Sequence, residues 1–368
     1  MRDGDVVVIG GGYAGVRLAK RLDGTARVTL VDRKEIFFHR IASLRAGVRP
    51  DWTATPFIPY DRLLRNGRVV SGKAIRVDTD ERQVVLATGE RLPYDVVVIA
   101  TGADYPEPAR FTGTTAEEAA KSFAGHQRSI AGAEHILVVG GGPSGVELSA
   151  EIRLARPNAR VTLAHAGPAL LDVMGNARAG KRARSWLESH DVDVRLDTFM
   201  SQGTEFGTYR DARGNVIEAD VSFWATGTTP NTLWLRLAGH GDWLNPSGHV
   251  KVDRTLRVAG RQDVFAVGDV NDATELKITP VALAQADLAA WNIRACLQGS
   301  GRHRKEPRLY RPIHRTPLIV PFGPADGVTM MPVPGGETAV LGSRTSTLGK
   351  AKTLLTPYMR RQLGYTAA

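Results

Sequence analysis

The chain has 368 residues, of which 42% are hydrophobic and 23% charged, a composition that excludes a disordered protein and predicts two or three globular domains. Its longest apolar runs have strand length, which predicts no membrane span, and its single cysteine, Cys296, excludes an intrachain disulfide or a cysteine-based zinc site. The net charge of +10 is uneven, because eleven Lys and Arg stand against three acids after residue 300. This basic tail could contact an acidic protein, an anionic lipid or a nucleic acid, or simply be solvated.

The first predicted unit is a strand, a glycine turn, a helix and a second strand. In VVVIGGGYAG, Gly10, Gly12 and Gly15 form a GxGxxG pattern, which permits a tight turn, a close backbone approach to a pyrophosphate and close helix packing. The second strand ends at Asp32, where a carboxylate can accept hydrogen bonds from an adenosine ribose. A plain glycine turn is the alternative, but the flanking strand, helix and acid favour dinucleotide binding.

A second unit repeats this plan at residues 135–165, with Gly140, Gly142 and Gly145 in the turn. The residue at its ribose end is His165 instead of an acid. Because no carboxylate at this position repels a 2′-phosphate and no Arg follows directly to attract one, the sequence leaves the choice between NADH and NADPH open.

Three shorter strands accompany the two units. Residues 94–103 and 219–231 each contain a hydrophobic strand closed by Ala-Thr-Gly, and residues 264–270 end at Gly268 and Asp269. A connecting helix is predicted at 114–133, a hairpin at 210–223 and a helix from Pro280 onward. The order GxGxxG, ATG, GxGxxG, ATG, GD resembles the two-dinucleotide flavoprotein superfamily, which includes glutathione reductase, ferredoxin reductases, apoptosis-inducing factor and type II NADH dehydrogenases.

This resemblance implies an α/β fold with two Rossmann-like dinucleotide-binding domains. An FAD domain would comprise residues 1–106 and 231–300, an NAD(P)H domain inserted into it residues 107–230, and a small α+β C-terminal domain residues 301–368. Two dinucleotide sites are needed because hydride transfer requires the nicotinamide and the flavin to be held in contact.

The resemblance also implies roles for individual residues. Asp269 would bind the ribityl chain of FAD, and Glu147 would lie beside the nicotinamide, although a capping or surface glutamate is the alternative. The implied cofactor-binding set further includes Tyr13, Ala14, Arg33, Arg45, Ala100, Thr101, Gly102, Pro143, Ser144, Thr226, Gly227 and Gly268.

The missing cysteine pair excludes the disulfide-reductase branch of the superfamily. In its place, EIFFHRIASLRAGV at 35–48 resembles a segment of the apoptosis-inducing-factor-like, mitochondrion-associated group, which includes the ferroptosis suppressor, an NAD(P)H:quinone oxidoreductase. The resemblance places His39 near the flavin, where it could donate a proton to a quinone; a hydrogen-bonded packing histidine is the alternative. Lys350 matches a tail lysine close to the flavin, with a surface lysine as the favoured alternative.

The predicted function is an FAD-dependent NAD(P)H oxidoreductase that reduces a quinone-like acceptor. Two alternatives stay open: a reductase for an acidic iron-sulfur protein that docks on the basic tail, and an NADH-sensing binding protein in the manner of apoptosis-inducing factor. A cytoplasmic monomer or homodimer is expected, with at most a peripheral membrane contact through the tail. Neither a metal site nor a nucleic-acid partner is expected.

Overall fold

A computed structural model of the protein describes residues 4–203, 205, 207–298 and 306–366. Up to residue 104 its elements are β1 (Asp5–Ile9), α1 (Tyr13–Leu22), β2 (Arg27–Asp32), β3 (Ile36–Phe38), α2 (Arg40–Val48), β4 (Phe57–Pro59), β5 (Arg68–Ser71), β6 (Ala74–Asp78), β7 (Gln83–Leu86), β8 (Arg91–Pro93), β9 (Val96–Ile99) and β10 (Ala103–Asp104). Strands β5, β2, β1 and β9 lie side by side in one parallel sheet, while β6, β7 and β8 form an antiparallel sheet.

The middle of the chain forms a second parallel sheet. Its elements are α3 (Ala116–Gly132), β11 (His135–Val139), α4 (Pro143–Ala155), β12 (Arg160–Ala164), α5 (Ala177–Ser189), β13 (Val192–Arg195), β14 (Met200–Gln202), β15 (Thr208–Asp211), β16 (Val216–Glu218), β17 (Val221–Trp224) and β18 (Thr229–Pro230). The parallel sheet has the order β13-β12-β11-β17, and β14, β15 and β16 pair antiparallel beside it.

The chain then returns to the first sheet. The remaining elements are α6 (Leu233–Leu237), β19 (Val264–Ala266), α7 (Thr279–Leu297), β20 (Leu318–Pro321), β21 (Gly327–Pro332), β22 (Thr338–Leu341), α8 (Ser343–Ser346), a π-helical turn (Thr347–Ala351) and α9 (Thr356–Gln362). Strand β19 pairs in parallel with β9, although the whole second unit separates them in the chain. The second unit is therefore inserted into the first, and the predicted α/β fold class is confirmed.

Both faces of the first sheet are covered, which explains why its strands are apolar without alternation. Val6 and Val8 of β1 pack in a core that includes α1 and α7, whereas Val7 and Ile9 pack toward β6, β7 and β8. Burial on both faces fixes the position of the strand ends, from which the functional residues extend.

The two units are joined where the chain crosses between them. Strands β10 and β18 pair antiparallel, with Ala103 opposite Pro230 and Asp104 opposite Thr229. These crossings lie close to the predicted domain limits at 106/107 and 230/231, whereas the limit at 300/301 lies outside the described residues. The division into domains stays a prediction.

The C-terminal segment contacts both units. Its antiparallel sheet of β20, β21 and β22 packs on the second unit, where Phe322 lies against Trp186 and Arg182 donates a hydrogen bond to the Gly327 carbonyl oxygen. Its last helix, α9, returns to the first unit and places Met359 and Leu363 in that core. The segment thus spans the gap between the two units.

Two local predictions agree with the structure. Helix α3 begins after Thr115, whose hydroxyl accepts a hydrogen bond from the Glu118 N–H while Glu118 caps the residue in return. Helix α7 begins at Thr279, directly before Pro280, which suits the first turn because proline lacks an N–H. No described helix combines the length and apolar character that a bilayer crossing needs.

Candidate active site

A cavity of about 800 Å³ lies at the carboxyl ends of the first parallel sheet. Residues 10–12 after β1, 100–102 after β9 and 268–269 after β19 form one side. The first turn of α4 and the tail residues Ile319 and Lys350 form the other side. Segments that are far apart in the chain therefore meet around one space.

Most of the predicted site residues line the wall of this cavity: Gly10, Gly12, Tyr13, Ala14, Asp32, Arg33, Ala100, Thr101, Gly102, Pro143, Ser144, Glu147, Gly268, Asp269 and Lys350. Other predicted residues, all in the described part of the chain, are not on it: Gly15, His39, Arg45, Gly140, Gly142, Gly145, His165 and Thr226. A second cavity of about 330 Å³ is lined by Gly227 and, like the first, by Pro143 and Ser144. The start of α4 thus borders both spaces.

The two glycine turns are built alike. Gly10 and Gly140 have φ of +110° and +112°, and a Cβ would lie 2.4 Å from the Ala100 carbonyl oxygen in one turn and 2.6 Å from the Ala225 carbonyl oxygen in the other. Gly12 and Gly142, by contrast, have no atom within 4 Å of the Cβ position. Open space therefore adjoins the backbone at Gly12 and at Gly142.

This space suits a dinucleotide pyrophosphate. Gly12 and Gly142 are the N-caps of α1 and α4, so neither helix has a side-chain cap for its first N–H groups. Uncapped N–H groups and the positive end of the helix dipole favour a bound phosphate. The residues present thus fit one dinucleotide at each turn.

Asp32 is held firmly at the edge of the first turn. Its Oδ2 accepts a hydrogen bond from the Gly11 N–H at 2.5 Å, and its Oδ1 accepts from the Lys34 N–H and from Lys34 Nζ at 2.8 and 2.9 Å. Arg33 also lies on the wall, and its guanidinium donates to the Phe111 and Thr112 carbonyl oxygens. These contacts hold the Asp32 carboxylate beside the first glycine turn, and its place at an adenosine ribose stays a prediction.

Asp269 belongs to a cluster that the sequence reasoning missed. Its Oδ2 accepts a hydrogen bond from the Tyr105 hydroxyl at 2.7 Å and lies 4.0 Å from Arg40 Nη1. The Arg40 guanidinium stacks 3.9 Å over the Tyr105 ring. Burial, together with the Asp269 carboxylate, raises the pKa of Tyr105, so this phenol keeps its proton. The position of Tyr105, three residues beyond an ATG strand end, is the one signal that could have revealed it.

Glu147 and Lys350 form an ion pair on the cavity wall. Lys350 Nζ donates to Glu147 Oε1 at 2.7 Å and to the Ile319 carbonyl oxygen at 3.1 Å. Burial raises the pKa of the Glu147 carboxyl, and the Lys350 ammonium opposes that rise. The alternative of a surface lysine does not match the structure, because the Lys350 side chain is only 14% exposed. The alternative of a capping or surface glutamate does not match it either.

A second ion pair lies behind the first. Arg45 is fully buried against Glu151, with 2.7 Å between Nε and Oε1, and its guanidinium stacks on Trp52. Arg45 was predicted to bind a cofactor, but it packs behind the wall because Glu151, one turn beyond Glu147 on α4, draws the guanidinium inward. The four-residue spacing of the two glutamates was the available signal for Glu151.

His39 is completely buried behind Tyr13. Its Nδ1 accepts a hydrogen bond from the Tyr13 hydroxyl at 3.0 Å, and its Nε2 donates to the Leu354 carbonyl oxygen at 2.8 Å. Burial lowers the pKa of His39 to about 4, so the ring is neutral at pH 7. These contacts match the packing alternative, and proton donation by His39 would have to pass through Tyr13.

The buried neutral ring predicts an acid-sensitive fold. Since the unfolded chain takes up a proton on His39 near pH 6.5 but the folded chain only near pH 4, we expect the free energy of unfolding to fall between these values. The loss attributable to this ring reaches about 3 kcal/mol, from about 1.4 kcal/mol per pH unit. Urea unfolding of the protein and of His39→Gln at pH 7 and pH 4.5 measures it. The free energy of unfolding of His39→Gln should fall less between pH 7 and pH 4.5 than that of the parent, whereas the exposed His314→Gln should lose as much as the parent. An equal loss in all three proteins would refute the role of the buried His39 ring.

The basic tail divides into internal and external charges. Lys350 belongs to the cavity, and Arg308 stacks 3.5 Å over the Trp291 ring. Arg302, Arg304 and Lys305 lie outside the described residues. Part of the positive charge therefore serves packing and the site instead of a partner.

Comparison with known proteins identifies the family and the fold of the chain. The family model described as pyridine nucleotide-disulphide oxidoreductase matches residues 4–286. The chain is 30% identical to apoptosis-inducing factor homolog B of Dictyostelium discoideum, covering 95% of this chain and 94% of that protein. It is 29% identical to ferroptosis suppressor protein 1 of Xenopus tropicalis, covering 98% and 96%. The fold is similar to that of the sulfide:quinone oxidoreductase of Aquifex aeolicus, with a TM-score of 0.78 at 20% identity, covering 98% of this chain and 91% of that one.

Proposed function

The chain belongs to the pyridine nucleotide-disulphide oxidoreductase family, and from that premise we propose that it passes electrons from NADH or NADPH, through FAD, to a quinone-like acceptor. Membership confirms the resemblance that the motif order indicated. It also confirms the oxidoreductase class and the two cofactors, FAD and NAD(P)H. The observation that carries the proposal is the start of α4, the helix that follows the second glycine turn, because its residues Pro143 and Ser144 border both cavities.

The two cofactors are assigned to the two turns. FAD would be held by the first turn, by Asp32 at its ribose end and by Asp269 with its partners Tyr105 and Arg40. The coenzyme would be held by the second turn and by Glu147. When bound, the flavin would accept a hydride from the nicotinamide and pass electrons to the acceptor.

Electron transfer through a disulfide within this chain is excluded. The sequence contains one cysteine, and Cys296 lies on α7, away from the walls of both cavities. The acceptor must therefore approach the flavin itself.

An apolar stretch of the cavity wall is the proposed acceptor side. It is formed by residues of the 37–45 segment and of the tail: Phe38, Ile41, Leu44, Leu318, Ile319 and Leu355. Such a wall favours a flat apolar ring over a charged substrate. The structurally similar oxidoreductase of Aquifex aeolicus is named for a quinone, which supports the same choice.

Lys350 is the proposed proton donor for the acceptor. Reduction of a quinone to a quinol consumes two electrons and two protons, so a proton must reach each oxygen. Two of the three N–H groups of the Lys350 ammonium are bound by Glu147 and Ile319, which leaves one for an acceptor in the cavity. Glu147 holds the ammonium in place and compensates its charge in the buried wall.

The purified protein tests the proposal directly. We expect a flavin spectrum, bleaching by NADH or NADPH without oxygen, and return of the colour on addition of a soluble quinone. The quinone rate should change little between 50 and 500 mM salt, because a neutral acceptor has no long-range attraction to lose. A colourless protein that ignores added flavin would refute the function. A fast, steeply salt-dependent reaction with ferredoxin and none with quinone would show instead that the acceptor is an acidic redox protein.

Location and assembly complete the proposal. We place the protein in the cytoplasm as a monomer or homodimer, with at most a peripheral membrane contact through exposed tail cations such as Arg344 and Arg361. Sedimentation of the protein alone tests the oligomeric state, and sedimentation with anionic vesicles tests the membrane contact.

A further inference from the structure

His165, the residue after β12, occupies the position that Asp32 holds at the end of β2. In the first turn the Gly11 N–H donates to Asp32 Oδ2 at 2.5 Å, and in the second the Gly141 N–H donates to His165 Nδ1 at 3.1 Å. His165 therefore takes over the bond that orients the strand end, but as a ring it lacks the second carboxylate oxygen that a ribose can use.

A carboxylate nevertheless reaches this position from elsewhere in the chain. Asp172 Oδ2 lies 3.2 Å from His165 Nε2, although the two atoms are not aligned for a hydrogen bond. Asp172 belongs to the loop between β12 and α5, and the preceding Leu171 N–H donates to the Gly141 carbonyl oxygen at 2.8 Å. The loop is thus fastened to the glycine turn itself.

Gly167 makes this approach possible. A Cβ at Gly167 would lie 2.3 Å from Asp172 Oδ2 and 2.9 Å from His165 Nε2, so any side chain at this position would displace the Asp172 carboxylate from the His165 ring. The Asp172 side chain remains 33% exposed, so it stays accessible to a ligand. Arg195, at the end of the neighbouring strand β13, is already paired with Asp193 at 2.9 Å.

We propose that Asp172, positioned by His165 and Gly167, makes the second turn select the coenzyme that lacks a 2′-phosphate, so that NADH is preferred over NADPH. A carboxylate accepts hydrogen bonds from ribose hydroxyls and repels a phosphate dianion. The inference rests on the proposed function, since the second turn must hold a pyridine nucleotide. Asp172, a loop residue, would provide the selectivity between NADH and NADPH that His165 at the strand end does not provide.

Calorimetric binding to the flavin-loaded protein tests the inference without turnover. ADP-ribose and 2′-phospho-ADP-ribose are the probes, because they differ only at the 2′ position. We expect the parent protein to bind ADP-ribose at least about 10-fold more tightly, and Asp172→Asn to reduce that ratio to below about 3-fold, mainly by tighter binding of the phosphorylated probe.

The matched control is Glu188→Gln on α5, which removes one negative charge from the same unit at an exposed ion pair with Arg184. Its binding ratio should equal that of the parent. Equal affinity of the parent for both probes, or an unchanged ratio in Asp172→Asn, would overturn the inference alone. If neither probe binds and neither coenzyme bleaches the flavin, the proposed function fails with it.

Discussion

Gly12→Val is expected to give a folded but colourless protein, and Gly142→Val a yellow protein that NADH no longer reduces. Both glycines have extended backbone, with φ of −77° and −72°, and no atom lies within 4 Å of a Cβ at either position. Valine is therefore accommodated by the fold, but it fills the space that a pyrophosphate needs. We expect each affinity to fall by at least about 100-fold, which corresponds to roughly 3 kcal/mol.

Flavin content after gel filtration and anaerobic titration with NADH measure the two effects separately. Gly125→Val on α3 is the control, since Gly125 also has no neighbour within 4 Å of its Cβ position but lies in neither glycine turn. It should keep both the flavin and its reduction by NADH. Loss of flavin from Gly142→Val with full retention by Gly12→Val would exchange the assignment of the two turns.

Lys350→Met is expected to lower kcat with a quinone by about 100-fold, within the range that a lost general acid costs. Stability should fall too, by about 3 kcal/mol, because Glu147 then stays buried without its counter-charge. The pKa of Glu147 is already raised by burial, and removal of Lys350 raises it further. A carboxyl that binds its proton more tightly in the folded state stabilises the fold at low pH, so the deficit should be larger at pH 8 than at pH 5.5.

The double variant Glu147→Gln, Lys350→Met separates the two consequences. It removes both buried charges, so stability should recover and the added pH dependence should vanish, while kcat with the quinone stays low. Lys352→Met is the control, because this tail lysine is exposed and its side chain is not on the cavity wall. A double variant with restored turnover would show that Lys350 serves packing and not proton donation.

Much of the site could be predicted because its parts are local. Gly10, Gly12 and Asp32 stand at fixed distances within a strand-turn-helix-strand unit, so their spacing alone predicts a dinucleotide turn. The strand ends at residues 100–102 and 268–269 follow the same rule, since parallel strands place their carboxyl ends at one edge. The missing cysteine pair likewise needed no structure to exclude disulfide chemistry.

Pairs made across the fold were not predictable in this way. Lys350 reaches Glu147 from the tail, and Asp172 reaches His165 through a loop with no periodic pattern. His39 and Arg45 carried a motif resemblance, yet burial beside Tyr13 and Glu151 placed both behind the wall. Such contacts depend on how separately formed elements pack, and no residue spacing encodes them.

The sequence by itself determined the two nucleotide-binding units, their order and the absence of a cysteine pair, because each depends on residue types at fixed short spacing. Only the tertiary structure decided which charges face the cavity, which are buried behind it and which acid lies beside His165 at the second turn. Those outcomes depend on desolvation and on partners contributed by distant segments, and both arise only when the two units and the tail pack together.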